Sequence, residues 1–274
     1  MPALAANLTL LFNEQPFLER FGAAASAGFT GVECLFPYQW PAAELAARLQ
    51  DNGLQQVLFN APPGDWDAGE RGLACHPGRE SEFRRGLEQA MVYADALNCP
   101  RIHCLSGLRP PGVSESQAWE TLCNNLAWGA DQLAGAGRSL MVEPINSRLD
   151  MPGYLMDRAS LARTLIEQLG RKNVWLQFDL YHGAVMEDDL WGALKACLPV
   201  TGHIQFADYP GRHEPGSGGL PLAAIFHWLD HMGYPGWVAA EYHPQHNSEA
   251  SLAALAPWLN RGSMASASVV SGHP

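Results

Sequence analysis

The sequence predicts an α/β protein built as one closed (β/α)8 barrel, and three observations predict it. Short β-rich runs alternate with longer helical stretches eight times. Such alternation implies parallel strands joined by right-handed crossovers. Eight units also fit into 274 residues with no linker between them, the usual size of a single barrel. The alternative is an open doubly wound sheet. That fold more often carries a glycine-rich phosphate loop after its first strand, and "NLTLLFNEQ", from Asn7 to Gln15, has none.

Strands are expected near Leu4–Leu8, Gly31–Leu35, Gln56–Asn60, Arg101–Leu105, Ser139–Glu143, Val174–Asp179, Gly202–Ala207 and Trp237–Glu241. Between them lie the helices. Pro16–Ala27 has Phe17, Leu18 and Phe21 at helical spacing and ends before Gly28. Pro41–Asn52 opens with a proline in its first turn and stops before Gly53, a common pair of helix boundaries. Glu80–Leu97, Ser114–Leu133, Arg158–Leu169, Asp188–Cys197, Leu220–Met232 and Ser248–Leu259 complete the set, with Ser114 and Gln117 as a capping box. The barrel is expected to occupy residues 1–260, and the small, polar stretch 261–274 to be a disordered tail.

Composition narrows the function. With 47% hydrophobic residues the chain can fill a large core. No apolar run approaches the ~20 residues of a membrane helix, and the N-terminus lacks the basic start of a signal peptide. The six cysteines form no CxxC pair, so reduced thiols in a cytoplasmic protein are expected rather than disulfides or zinc. A net charge of −11 and a pI near 5.3 repel phosphate backbones, which speaks against nucleic acid as a partner. The expected partner is a small substrate, with no membrane, and a homo-oligomeric state is compatible with the sequence.

Strand side chains alternate between two faces. In "VWLQFD" the apolar set Val174, Leu176 and Phe178 belongs against helices, so Gln177 and Asp179 point into the barrel. The same reasoning turns His203 and Gln205, Glu241, and Glu143 inward, and puts Asn7, Glu33, Asn60 and His103 in the same phase. Each strand therefore finishes on an inward polar residue. One such residue could merely cap a strand in solvent. A ring of them, at the strand C-termini where barrel enzymes carry their chemistry, implies a site that shares a cation, a substrate or protons.

Strands five to eight contribute Glu143, Asp179, Gln205 and Glu241, all oxygen donors. Hard cations such as Mg2+ or Mn2+ prefer that set, whereas zinc favours His and Cys. Two glutamates flanking a hydroxy-ketone suit an isomerisation in which one removes a proton beside the carbonyl and the other returns one to the neighbouring carbon; a divalent cation would stabilise the intervening enediolate. Glu143 and Glu241 are the expected pair. Cationic and polar groups for the substrate come from loops: Glu70 and Arg71 after strand three, His182 after Asp179, and Arg212 with His213 after strand seven. Arg71 or Arg212 is expected to hold the anionic end of the substrate, since an arginine fork binds a carboxylate in two places. Either could instead be a solvated surface charge, and His103 and His203 could be satisfied core histidines. Trp119, Trp128 and Trp191 fit packing better than a stacking platform.

The segments "ANLTLLFNE", "GVECLFPY", "FNAPPGDWDAGERGLACHPGRE", "VEPIN", "QFDLYH", "HIQFADYPGRHEPGSG" and "GWVAAEY" together resemble the hydroxypyruvate isomerase family of the xylose-isomerase-like TIM barrels. The resemblance spans about residues 4–256. It implies interconversion of hydroxypyruvate and tartronate semialdehyde (2-hydroxy-3-oxopropanoate), with Glu143 and Glu241 as proton donor and acceptor. It also implies a divalent metal, Mg2+ or Mn2+, on Glu143, Asp179, Gln205 and Glu241. Asn60, Glu70, Arg71, His103, His182, Arg212 and His243 fall at the substrate end. Two departures bear on substrate choice: His243 stands where the family commonly has Lys, and Gly219 where it commonly has Glu. The related 2-oxo-tetronate isomerases share most of these segments and act on a substrate one carbon longer. Sugar epimerases and inosose dehydratases of the same fold usually show a histidine at the position of Gln205. DNA-repair endonucleases on this barrel need a zinc cluster and a basic groove, both at odds with Gln205 and the acidic balance. A non-catalytic binding barrel would not exchange ligand protons with solvent.

Overall fold

The computed structural model describes residues 3–259; the stretch 261–274, expected as a tail, lies outside them. Eight parallel strands close on one another in sequence order: β1 (Ala3–Asn7), β2 (Gly31–Cys34), β3 (Gln55–Asn60), β4 (Arg101–His103), β5 (Ser139–Val142), β6 (Val174–Asp179), β7 (Thr201–Phe206) and β8 (Trp237–Ala240). β8 pairs with β1 through Ala3 and Trp237, so no sheet edge remains. The helices α1 (Arg20–Ser26), α2 (Ala42–Asp51), α3 (Glu80–Ala96), α4 (Glu115–Gly135), α5 (Ala159–Leu169), α7 (Leu190–Cys197) and α8 (Leu222–His231) form the outer layer. The last stretch, expected as one helix, breaks into α9 (Ser248–Ser251), a 3-10 turn and α10 (Ala256–Leu259).

A second element departs from expectation. "LYHGAVM" was expected as loop, yet it forms a helix, α6 (Leu180–Met186). Asp179 ends β6 and caps this helix, its Oδ1 accepting the Tyr181 N–H at 2.7 Å, a standard N-cap bond. Ser114 caps α4 in the same way, accepting from the Gln117 N–H.

The side-chain phase of the strands divides the interior in two. Leu140, Val142, Val174, Leu176, Phe178, Ile204, Phe206, Val238 and Ala240 pack outward in the large core between sheet and helices. A smaller apolar plug of Ala5, Val57, Leu58, Met141 and Ala239, with Trp175 and Trp237 against it, fills the barrel axis. Above the plug the axis turns polar. Asn7, Glu33, Asn60, His103, Glu143, Gln177, Asp179, His203, Gln205 and Glu241 are all buried. Burying so many polar groups is costly unless they satisfy one another or a ligand.

Candidate active site

Glu143 follows β5 directly, Asp179 closes β6, Gln205 lies on β7 and Glu241 follows β8. Short strands fix their backbones, and period-2 phase aims them at the barrel axis. Two cations or donors tie the set together. Arg212 Nη2 lies 3.3 Å from Glu241 Oε1 and 3.8 Å from Asp179 Oδ2. Its Nη1 is 3.0 Å from Asp150 Oδ2, and the guanidinium stacks over the Tyr181 ring. His182 Nε2 lies 3.5 Å from Asp179 Oδ2 and 3.9 Å from Glu143 Oε1. On the other side of Glu143, His103 Nδ1 is 3.6 Å from Oε2 and 3.1 Å from Asn60 Oδ1.

The electrostatics follow from burial and crowding. Burial, then the neighbouring Glu241 and Asp179 charges, push the Glu143 carboxyl well above its ordinary range. Burial does the same to Glu241, with Arg212 opposing it. Burial raises Asp179 to about 6, again against Arg212. The histidines move the other way: burial lowers His103 to about 3, and burial with the Arg212 charge holds His182 well below its ordinary value. His243, exposed at the rim, is lowered by its partial desolvation and then by Arg212. Carboxyls held ready for protons, beside neutral imidazoles, are the conditions for acid–base work near neutral pH.

One layer deeper, Glu33 joins three polar residues. Its Oε1 accepts from Asn7 Nδ2 at 2.9 Å and Gln205 Nε2 at 2.7 Å, and its Oε2 meets His203 Nε2 at 2.6 Å. Gln205 Oε1 in turn accepts from Gln177 Nε2 at 2.6 Å. Glu33 thus fixes which end of the Gln205 amide donates and leaves its oxygen as the acceptor.

The donor set fits a hard cation. Glu143, Asp179 and His182 each offer an atom within 4.8 Å of the others. Asp179 Oδ2 is buried and has no hydrogen-bond partner. An unpartnered carboxylate oxygen next to a second carboxylate suits Mg2+- or Mn2+-type ions. Two of the four oxygen donors expected from the sequence, Glu143 and Asp179, belong to this group. Glu241 reaches the ring through Arg212, and Gln205 has one acceptor site already taken by Gln177.

The two loop arginines part company. Arg71 stacks on Trp66, 3.9 Å from the ring centre, and donates to the Trp66 and Glu70 carbonyls. Glu70 pairs with Arg79 and accepts the Asp65 N–H; the Arg79 bond holds its carboxyl below the usual range. Arg212 reaches the carboxylates. Its backbone sits at φ 59°, a left-handed conformation uncommon outside glycine. It is held there by its N–H to the Asp208 carbonyl at 3.1 Å and by the His243 N–H, 2.9 Å from its own carbonyl. Asp208 organises the loop, its buried carboxylate accepting from the N–H groups of Tyr209, Gly216 and Leu220.

Sequence reasoning missed three contributors. Asp208 stands before a Gly/Pro-rich loop, which is the usual position for a turn-forming aspartate, and could have been found. Asn146 and Asp150 occupy the loop after β5 and reveal themselves only through contacts across to α6 and the β7 loop.

The sequence profile of the xylose isomerase-like TIM barrel family matches residues 21–261. A 2-oxo-tetronate isomerase of Cupriavidus necator is 46% identical over 261 residues, 95% of this chain and 100% of that protein. The hydroxypyruvate isomerase of Escherichia coli K12 is 43% identical over 258 residues, 94% of this chain and 100% of that protein. The chain belongs to the xylose isomerase-like TIM barrel family, in its hydroxypyruvate and 2-oxo-tetronate isomerase branch. It is an enzyme of that branch. Among solved structures, one titled AP endonuclease, family 2, from Brucella melitensis superposes with a TM-score of 0.91 at 46% identity, covering 94% of this chain and 99% of that one. The 3-keto-D-glucoside 4-epimerase of E. coli gives 0.72 at 23% identity, with 95% and 99% covered, a likeness of fold. Within the family's barrel, no helix of the described residues is long and apolar enough to cross a membrane.

Proposed function

We propose that this isomerase interconverts hydroxypyruvate and 2-hydroxy-3-oxopropanoate. The observation that carries the reading is that two buried glutamates with raised proton affinity, Glu143 and Glu241, meet at the strand C-termini close enough to influence each other, with the Arg212 guanidinium 3.3 Å from Glu241. One glutamate takes the proton from the carbon that bears the hydroxyl. The electron pair moves toward the carbonyl, giving an enediolate. The other glutamate delivers a proton to the former carbonyl carbon, and the hydroxyl proton passes between the two oxygens. Raised carboxyl affinities let each glutamate alternate between acid and base. Arg212 is the group for the substrate carboxylate; His103, His182 and Asn60 face its oxygens, with His243 at the rim. Arg71 and Glu70 serve by shaping the β3 loop. Glu143, Asp179, Gln205 and Glu241 would hold a Mg2+ or Mn2+ ion, which supplies Lewis-acid stabilisation of oxygen charge.

A second reading has the relatives behind it. The 2-oxo-tetronate isomerases of C. necator and Pectobacterium atrosepticum match at 46% and 41% identity, so a four-carbon homologue of the same substrate is the rival. An endonuclease reading, prompted by the Brucella melitensis structure, is opposed by the net charge of −11.

The test is a substrate panel of hydroxypyruvate, both 2-oxo-tetronates and keto sugars, with chelator and with added Mg2+ or Mn2+. A preference in kcat/KM of about 100-fold, roughly 2.7 kcal/mol, for hydroxypyruvate supports the first reading. The same preference for a 2-oxo-tetronate selects the second, and turnover of neutral keto sugars alone overturns both.

A further inference from the structure

A histidine facing a cation site can act there in two opposed ways. With a lone pair on the facing nitrogen it is a ligand. With a proton on that nitrogen it is a donor, and the partner of the other nitrogen decides between them. His182 presents Nε2 to Asp179 and Glu143, and its Nδ1 meets Asn146 Nδ2 at 2.7 Å.

The orientation of Asn146 is fixed by atoms that have no ambiguity. The backbone N–H groups of Leu149 and Asp150 both point at one terminal atom of its amide, each at 2.9 Å. A backbone N–H can only donate, so that atom is the oxygen, and the atom facing His182 is the NH2 group. Being a donor, it requires a lone pair on His182 Nδ1. The competing partner for Nδ1 is Asp150 Oδ2, which would favour a proton there. It lies at 3.8 Å and is already bonded by Arg212 at 3.0 Å, so the shorter contact decides. Both Asn146 and His182 are buried, and an amide left without its partner there would carry an unmet desolvation cost.

We infer that Asn146 is a positioning residue: it locks His182 in the Nε2–H tautomer, making His182 a hydrogen-bond donor to oxygen in the site and not a ligand of any cation held by Glu143 and Asp179. The inference deepens the isomerase reading, because a fixed donor beside Asp179 and Glu143 faces the place where oxygen charge develops. His182 is then the substrate contact, and Asn146 acts through it.

The measurement is the long-range 1H–15N correlation spectrum of protein labelled with 15N-histidine, with His182 assigned by its loss in His182→Gln. The expected pattern for His182 is a protonated Nε2 and an unprotonated Nδ1. Asn146→Asp turns the facing donor into an acceptor, so the pattern should invert. Hydroxypyruvate turnover should then fall about 10- to 100-fold in kcat, the usual effect of losing an orienting partner, with a smaller change in KM. Titration with Mn2+ followed by electron paramagnetic resonance adds a readout free of turnover. Nitrogen coupling from His182 should be absent in the natural protein and appear in Asn146→Asp. A protonated Nδ1 in the unsubstituted protein, or His182 nitrogen coupling to Mn2+ there, overturns the inference, whether or not the variant folds. A protein with the expected tautomer that turns over no hydroxy-keto acid instead overturns the isomerase reading and leaves the tautomer assignment standing.

Discussion

Arg212 faces Glu241, Asp179 and Asp150 at once. Burial would lower its proton affinity, but those carboxylates more than offset the loss and raise it, so it keeps its charge at any working pH. Arg212→Gln should weaken recognition of an anionic substrate by about 1.5–3 kcal/mol, roughly 10- to 100-fold in kcat/KM. Turnover of a hydroxy-ketone lacking the carboxylate, however slow, should change far less. Equal losses on both would mean that Arg212 serves the fold and not the substrate.

Arg71 and Arg212 read alike in the sequence, each a loop arginine near a glycine. Nothing local separates them. What does is the Asp208 carboxylate, which gathers three backbone N–H groups, and the left-handed backbone at Arg212. Similarly, Glu33 and His203 were legible as inward-facing but not as partners, because the bond joins β2 to β7 across the barrel. Pairings of that separation leave no periodic trace.

Among the elements, the strands were the most legible. The alternation in β6 alone placed Asp179 and Gln177 inside, as found. The α6 helix was not, since its start is set by Asp179, read as the end of a strand and as a ligand; the same carboxylate does cap the helix, through Oδ1, and leaves Oδ2 to the site. The β7 loop is the element most exposed to a single change. Asp208→Ala removes the acceptor of three N–H groups, each worth about 0.5–1.5 kcal/mol. Hydrogen exchange should speed up at Tyr209, Gly216 and Leu220 while amides of β3 and β4 keep their protection, and kcat/KM should fall through misplacement of Arg212. Unchanged exchange in the loop would remove Asp208 from the account.

At the scale of the whole molecule, the polar axis of the barrel is where stability and function conflict. Glu33→Ala would leave Asn7, His203 and Gln205 without their shared acceptor, and a loss of about 3 kcal/mol or more in urea unfolding is expected, since each buried polar group left unpaired costs about 1–3 kcal/mol; a loss under 1 kcal/mol would contradict that. The upper ring has the opposite sign. Burial raises Glu143, Asp179 and Glu241. A carboxyl whose folded-state affinity exceeds the unfolded one stabilises the fold below its ordinary value, and that contribution is lost as pH rises through the folded value. For Asp179 the window runs from 3.8 to about 6. Above it, a divalent cation can replace the protons. Calorimetry with Mn2+ should therefore give a larger rise in Tm at about pH 7.5 than at about pH 5; equal shifts at both would mean that the ion binds elsewhere.

The central claim is that Glu143 and Glu241 work on one substrate from two sides. It is tested most directly by following hydroxypyruvate in D2O by 1H NMR, with the unsubstituted protein and with Glu143→Gln and Glu241→Gln. Deuterium is expected at the exchanging carbons with the natural pair, and a loss of isomerisation of about 10²- to 10⁴-fold in each variant. One of the two variants should still wash deuterium into the substrate, since the glutamate left in place can remove the first proton. Near-normal isomerisation in either variant would contradict it.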